Sequence, residues 1–177
     1  MTAAQLNRSP GGGIALVNGL NLGKDAAGST SVSRLLLTTA PTLIGSGLPL
    51  ATGINSNVQN TAIVPYLLGE ASAVSGGLGT ASGAANTFVT YTSTGGLRPL
   101  NLADEFTLNA FTAGNNTHLT APATLNASVA INSLILDTTG SITIASGQIL
   151  TINSGAILFA AGTGLGFTGG HPRFRGE

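Results

Sequence analysis

Cysteine and tryptophan are absent from this 177-residue chain, lysine occurs once, and only 7% of the residues are charged. A typical globular domain carries about 25% charged residues. Solubility must therefore rest on hydroxyls, amides and backbone. Without cysteine there are no disulfides and no thiolate metal sites, which excludes a disulfide-stapled secreted mini-domain. Six acids and six bases cancel to a formal net charge of zero. Nucleic-acid binding relies on clustered Lys and Arg against phosphates, so no nucleic-acid partner is expected. Helices normally carry Glu, Lys and Arg on their exposed faces, and this chain has too few to cover them.

Long apolar runs are missing too. A membrane-spanning helix needs about 20 largely apolar residues, and Gly, Pro and polar residues interrupt every such window. The first ten residues, Met1 to Pro10, lack the apolar core of a signal peptide. No export signal is read in this chain, and any export address is expected outside it.

What is present points to β structure. The hydrophobic fraction is 42%, too high at zero net charge for a disordered chain. Thr, Ser, Val and Ile are abundant and favour strands. In the last third, apolar residues come in pairs two apart: Leu134/Leu136, Ile142/Ile144, Leu150/Ile152 and Leu165/Phe167. A spacing of two places both members on one face of a strand. Successive pairs begin 8, 8 and 15 residues apart, and Ala156 to Phe159 supplies a further strand in the long gap. Gly140, Gly147, Gly155 and Gly162 punctuate them. The connectors lack the Asn-Gly or Asp-Gly of tight hairpins, which favours repeated corners over an antiparallel meander.

Three strands per turn would make a coil of about 24 residues, within the range of stacked repeats. The expected fold is all-β: a right-handed parallel β-helix, or solenoid, in the C-terminal part and an irregular β-rich N-terminal part. A β-sandwich is the alternative. Inward Leu and Ile would form the core, and outward Thr143 and Thr151 would be polar.

The expected organisation is an irregular β-rich segment over 1–70, an Ala/Ser/Gly loop or linker over 71–86, an irregular β segment with a hairpin over 87–132, solenoid repeats over 133–170, and an atypical tail over 171–177. The hairpin is expected across Thr94-Gly95-Gly96, with Arg98 and Pro99 ending it. Pro65 interrupts an apolar run and favours an edge or a bend. The tail, "HPRFRGE", breaks the pattern as a terminal cap, a vector scar or a frameshift product would.

The order of "LNRSPGGGIALVNGLNLG", "LLLTTAPTLIGSG", "TAIVPYLLGEASA", "TFVTYTSTGGLRPLN", "NNTHLTAPATLNASVAINSLILD" and the glycine-spaced repeats resembles bacterial proteins with autotransporter-associated β-strand repeats. The resemblance runs from about Leu6 to Gly170. It implies a long exported protein, extracellular or on the bacterial cell surface, whose body is a right-handed parallel β-helix, often followed by a C-terminal outer-membrane barrel or another anchor. This sequence departs from that pattern in having no export signal, no barrel and few repeats, as a fragment of a passenger-like protein would. Its partners would be the missing repeats, a membrane barrel of the same polypeptide and surface glycans. A short solenoid with open ends would also be marginally stable or self-associate.

The search for chemistry returns no catalytic, cofactor-binding or metal-binding residue. Gly164-Leu165-Gly166-Phe167-Thr168-Gly169 fits GxGxxG, but a dinucleotide site needs a following helix and a ribose-binding acid about 20 residues on. Glycoside hydrolysis needs two carboxylates about 5 to 10 Å apart. The acids are Asp25, Glu70, Asp104, Glu105, Asp137 and Glu177. Asp104 and Glu105 are expected to be solvated, and Asp137 to form an Asx-type corner before Thr138. His118 has no partner at metal-ligand spacing, and His171 lies far from it. Outward threonines can order water on ice-binding solenoids, yet no strict Thr-x-Thr ladder repeats. The expected function is thus a non-catalytic stalk. A glycan- or host-binding adhesin module is the alternative, and a fragment of a carbohydrate-active β-helix enzyme the third.

Overall fold

A computed structural model describes residues 2–8, 12–23, 32–50, 58–71, 85–170 and the backbone of 173–174. The expected loop over 71–86 and the tail over 171–177 lie mostly outside these residues. The described chain is all-β. No helix among the described residues is long and apolar enough to cross a membrane.

In the N-terminal part, β1 (Thr2–Ala3), β2 (Ala15–Leu16) and β3 (Leu36–Leu37) are two-residue strands. They are followed by β4 (Val64–Gly69), β5 (Thr87–Thr92) and β6 (Gly96–Pro99). β1 pairs with β3, and a four-stranded sheet runs β2-β4-β5-β6. β5 and β6 form the expected antiparallel hairpin. Gly96 ends its turn at φ +80°, where a Cβ would strike the Leu35 carbonyl oxygen; only glycine serves there.

Arg98 and Pro99 end the hairpin as expected, the last two residues of β6, and both are buried. Pro65 lies in β4 between β2 and β5, at a break in the ladder that answers to the expected bend. The strand tolerates it because the β4–β5 register shifts between Val64 and Leu68, and β2 pairs only with Leu67 and Leu68. No ladder donor is needed at Pro65.

The rest of the chain is laid out differently. β7 (Thr107–Leu108), β8 (Asn116–Leu119), β9 (Pro122–Leu125) and β10 (Val129–Ile131) come first. Then follow β11 (Ser133–Thr138), β12 (Ser141–Ile144) and β13 (Leu150–Ile152). Last come β14 (Ile157–Gly162), β15 (Gly166–Gly169) and β16 (Arg173–Phe174). Every pairing among them is parallel. They form three rows: β7-β8-β11-β14, β9-β12-β15 and β10-β13-β16. From β8 onward the chain visits the rows in a fixed order and then returns to the first. The parallel rows begin at Thr107, before the boundary at 133 expected from the sequence, and the tail's Arg173–Phe174 continues the third row.

Alternation sends one face of each row into a shared core. Leu119, Leu134 and Leu136 come from the first row, Leu125, Ile142 and Ile144 from the second, and Ile131, Leu150 and Ile152 from the third. Thr143 points outward and is exposed, and Thr151 is half-buried. From β8 onward, paired residues of successive strands in a row lie 17, 19, 21, 22, 23 to 24 and 25 residues apart, so the spacing is irregular and mostly shorter than the expected length of about 24.

The opposite face of the first row is also covered. Ile135 and Leu158 pack with Ile63, Phe88, Leu100 and Phe106 in a second core. β5 likewise serves two cores, since its next residue, Val89, joins Val64, Leu67, Tyr91 and Leu97 in a third. The Tyr91 hydroxyl ties β3 to this third core by donating to the Leu37 carbonyl at 2.9 Å.

Candidate functional site

The most concentrated polar chemistry lies between the N-terminal sheet and the first row. In β6 alternation turns Leu97 into the third core and Arg98 to the other side, beside Thr90. A turn over 102–104 then brings Glu105 back to it. The guanidinium holds both carboxylate oxygens of Glu105 at 2.7 Å, and neither residue is exposed at all. Arg98 Nε donates to Leu50 O at 2.8 Å and a terminal nitrogen donates to Pro99 O at 3.1 Å. Glu105 also accepts from Asn101 N at 2.8 Å and from the Thr61 hydroxyl at 3.2 Å. The expectation that Glu105 is solvated is therefore overturned. Desolvating it is tolerated because the bidentate geometry and the added donors compensate both charges.

The network continues into the parallel rows. Asn116 Nδ2 donates to Thr61 O at 3.0 Å, while its Oδ1 accepts from Asn132 Nδ2 and the Ser133 hydroxyl, both at 2.8 Å. Asn132 Nδ2 also reaches Ile44 O at 3.2 Å. Arg98, Glu105, Thr61, Asn116, Asn132 and Ser133 thus form one connected, buried set. Its donors and acceptors meet one another or backbone groups, except Asn132 Oδ1, which has no hydrogen-bond partner, and the arrangement suits a latch between two parts of the fold. All six residues are buried.

A second pairing joins two residues the sequence leaves apart. His118 on β8 and Asp137 on β11 meet with Nε2 3.6 Å from Oδ2. That is an ion-pair separation and beyond hydrogen-bond range, and Nε2 has no hydrogen-bond partner. Burial lowers the His118 pKa below its usual value, and the neighbouring Asp137 offsets only part of this. The imidazole also packs edge-on against Phe106 at 6.1 Å. Asp137 stands at a corner, its carbonyl accepting from Gly140 N, but its Oδ1 accepts from Thr138 N, one residue on, instead of from Thr139 N as in an Asx turn. No group of three His, Cys, Asp or Glu able to hold a metal occurs among the described residues.

The remaining sequence candidates fall out of the site. The GxGxxG stretch leads into and through β15, and no helix follows it among the described residues. Asp104 sits in the turn, accepting from Asn101 Nδ2 at 3.0 Å. Asp25, His171 and Glu177 lie outside the described residues. Thr124, Thr143 and Thr168 stand in register and exposed across the second row, a file one hydroxyl wide.

One cleft, of about 400 Å³, opens between the N-terminal sheet and the segment leading into β14. Tyr66, Pro65 and Phe88 face Asn153, Ser154 and Ile157 across it. The Arg8 guanidinium lies over the Tyr66 ring, 5.7 Å from its centroid. The Arg98–Glu105 pair is the feature that sequence reasoning missed. Its trace is an arginine and an acid seven residues apart in "RPLNLADE", within a stretch otherwise poor in charge. No family model matches the chain, and no curated protein and no solved structure shows significant similarity to it.

Proposed function

We propose that this chain is a non-catalytic structural segment of an exported bacterial surface protein, a right-handed parallel β-helical stalk of the passenger type. The observation that carries the proposal is the cyclic order of the rows around one apolar core. Consecutive strands from β8 to β16 never pair with each other, as they would in a meander or a simple antiparallel sandwich. Each pairs instead with the strand three places on. Columns such as Leu119, Leu136 and Phe159, in register across the first row, are what stacked coils require. The right-handed sense follows from the chirality of parallel connections.

The polar groups support the non-catalytic part of the proposal. The buried charges are consumed in a latch, and the exposed positions of the second row carry threonine. Such a rod satisfies its own backbone and holds other parts of a longer polypeptide, including a membrane barrel, away from one another.

Antibodies to the chain, applied to intact and to permeabilised cells of its source, test the assignment. Labelling of intact cells is expected. Labelling only after permeabilisation would remove the surface role, and depolymerisation of any polysaccharide in a broad panel would remove the non-catalytic one.

The cleft at Tyr66 favours a second reading, an adhesin-type glycan contact. An aromatic face, a cation and the nearby Asn153 and Ser154 are the groups that sugar recognition uses. Binding on a glycan array that disappears in Tyr66→Ala would carry this reading; an empty array would end it.

A further inference from the structure

The cleft at Tyr66 does not stand alone. A second hollow, of about 340 Å³, adjoins it, and the two share Arg8, Ile14 and Tyr66 in their walls. Together they make a groove lined throughout by described residues. Each hollow falls within the range of small-ligand pockets, about 300–1,000 Å³. Two such compartments in line suit a chain of linked units better than one compact molecule.

The groove is charged on one side only. Arg8 is the sole charged residue in either wall, and no acid lines them. The Tyr66 ring, set by β4, carries the guanidinium at 5.7 Å from its centroid, inside the range of a cation–π contact. A terminal nitrogen of Arg8 also donates to Gly12 O at 3.1 Å. Ring and carbonyl orient the guanidinium, and neither neutralises it. Arg8 is exposed, so a ligand can reach it from solvent. Its planar fork of donors matches a carboxylate, which takes two parallel N–H bonds. A dense polyanion needs clustered cations, and this groove offers one.

The remaining lining fits sugar units on either side of that carboxylate. Ile14, Pro65 and Leu68 give apolar surface for the C–H faces of a ring. Opposite them, Ser154 Oγ is already held, donating to Asn132 O at 2.6 Å and accepting from Ala156 N at 3.2 Å. That fixes the wall. The half-buried Asn153 amide and the Tyr66 hydroxyl supply both a donor and an acceptor for ligand hydroxyls.

We propose that this groove binds an oligosaccharide through a carboxylated sugar, a uronate or sialate unit, whose carboxylate sits on Arg8 while the neighbouring units lie in the two hollows. The inference rests on the glycan reading of the cleft given above and adds what the cleft selects.

The test is an array of oligosaccharides, each bearing one glucuronate, galacturonate or sialate unit and printed beside its methyl ester, probed with the full chain. The acids should bind, and their esters at least tenfold more weakly. Arg8→Gln should bring the acids down to the level of the esters with the melt unchanged, since the side chain is exposed. Arg8→Lys keeps the charge and loses the fork, so it should retain only part of the preference. Equal binding of acids and esters overturns the inference and leaves the glycan reading standing. A preference for acids that survives Arg8→Gln also overturns it, because the carboxylate is then held elsewhere. An array on which nothing binds overturns both.

Discussion

The parallel rows and their junction with the N-terminal sheet are held together by different means. The rows enclose a core of leucine and isoleucine, nine buried residues drawn three from each row. At the junction an apolar core is joined by what the rows lack, a buried Arg98–Glu105 pair and the amides and hydroxyls that extend it. Apolar burial is additive and tolerant: a shortened side chain loses some area and leaves a cavity. A buried ion pair is conditional, because each charge is acceptable only while the other is present. The rows should therefore soften under mutation, whereas the junction should break.

The largest effect is expected at that junction. Glu105→Gln leaves a fully buried guanidinium without its counter-charge, at a cost of about 3–5 kcal/mol. Removing both partners together, as in Arg98→Met with Glu105→Leu, should cost clearly less than the sum of the single changes. Denaturant unfolding of the wild type, Arg98→Met, Glu105→Leu and the double variant measures the coupling. Additive losses would mean that the pair is not the conditional element, and the contrast with the rows would disappear.

Next comes the apolar core. Leu136→Ala should lower stability by about 3 kcal/mol, the usual cost of a buried leucine cavity. Leu136 lies mid-column between Leu119 and Phe159, so little rearrangement can fill the space. If the same substitution cost under about 1 kcal/mol, the three rows would not share one tight core. Hydrogen exchange would sharpen the comparison by showing whether the amides of β11–β13 and those of β4–β6 lose protection together or separately.

A smaller effect is expected where backbone approaches backbone. Gly162 has φ +132°, and a Cβ there would run into the carbonyl oxygen of Thr138, its partner on the paired strand β11. Gly162→Ala should cost about 2 kcal/mol in backbone strain. Gly147 also has a positive φ but open space around it, so Gly147→Ala should cost less, about 1 kcal/mol. Equal costs would show that conformation alone matters and that the rounds are not closely stacked at Thr138.

The rows were more legible in the sequence than the junction, and the reason is local. Leu134/Leu136, Ile142/Ile144 and Leu150/Ile152 declare their strands by a spacing of two, readable within a few residues, and all six side chains are buried as that spacing requires. β8 is hidden because its residues are Asn116, Thr117, His118 and Leu119, a polar string whose burial depends on Thr61, Glu105 and Phe106. Glu105 is harder still. A lone acid beside Asp104 reads as solvated, and only the arrival of Arg98 and Thr61 makes burial possible. Polar burial is set by partners that lie up to 88 residues away, whereas apolar alternation is set by neighbours. No local pattern announces His118 and Asp137 either, because the parallel pairing of β8 with β11 brings them together.

That last pair supplies the smallest and most specific prediction, a pH dependence. Burial lowers the His118 pKa in the folded protein, outweighing the attraction of Asp137, while the unfolded chain should titrate near the ordinary value of about 6.5. Between the lowered value and about 6.5 the unfolded chain binds the extra proton and the folded protein does not, so stability rises with pH in that window. The His118 contribution is complete above about pH 6.5 and is lost as the pH falls toward the folded value. Subtracting the pH profile of His118→Gln from that of the wild type should isolate this slope from the acids. If the difference ran the other way, with acid favouring the folded state, the Asp137 attraction would outweigh burial. The first row would then carry a charge-dependent contact like the one at the junction, and the division between an apolar half and a conditional half would no longer hold.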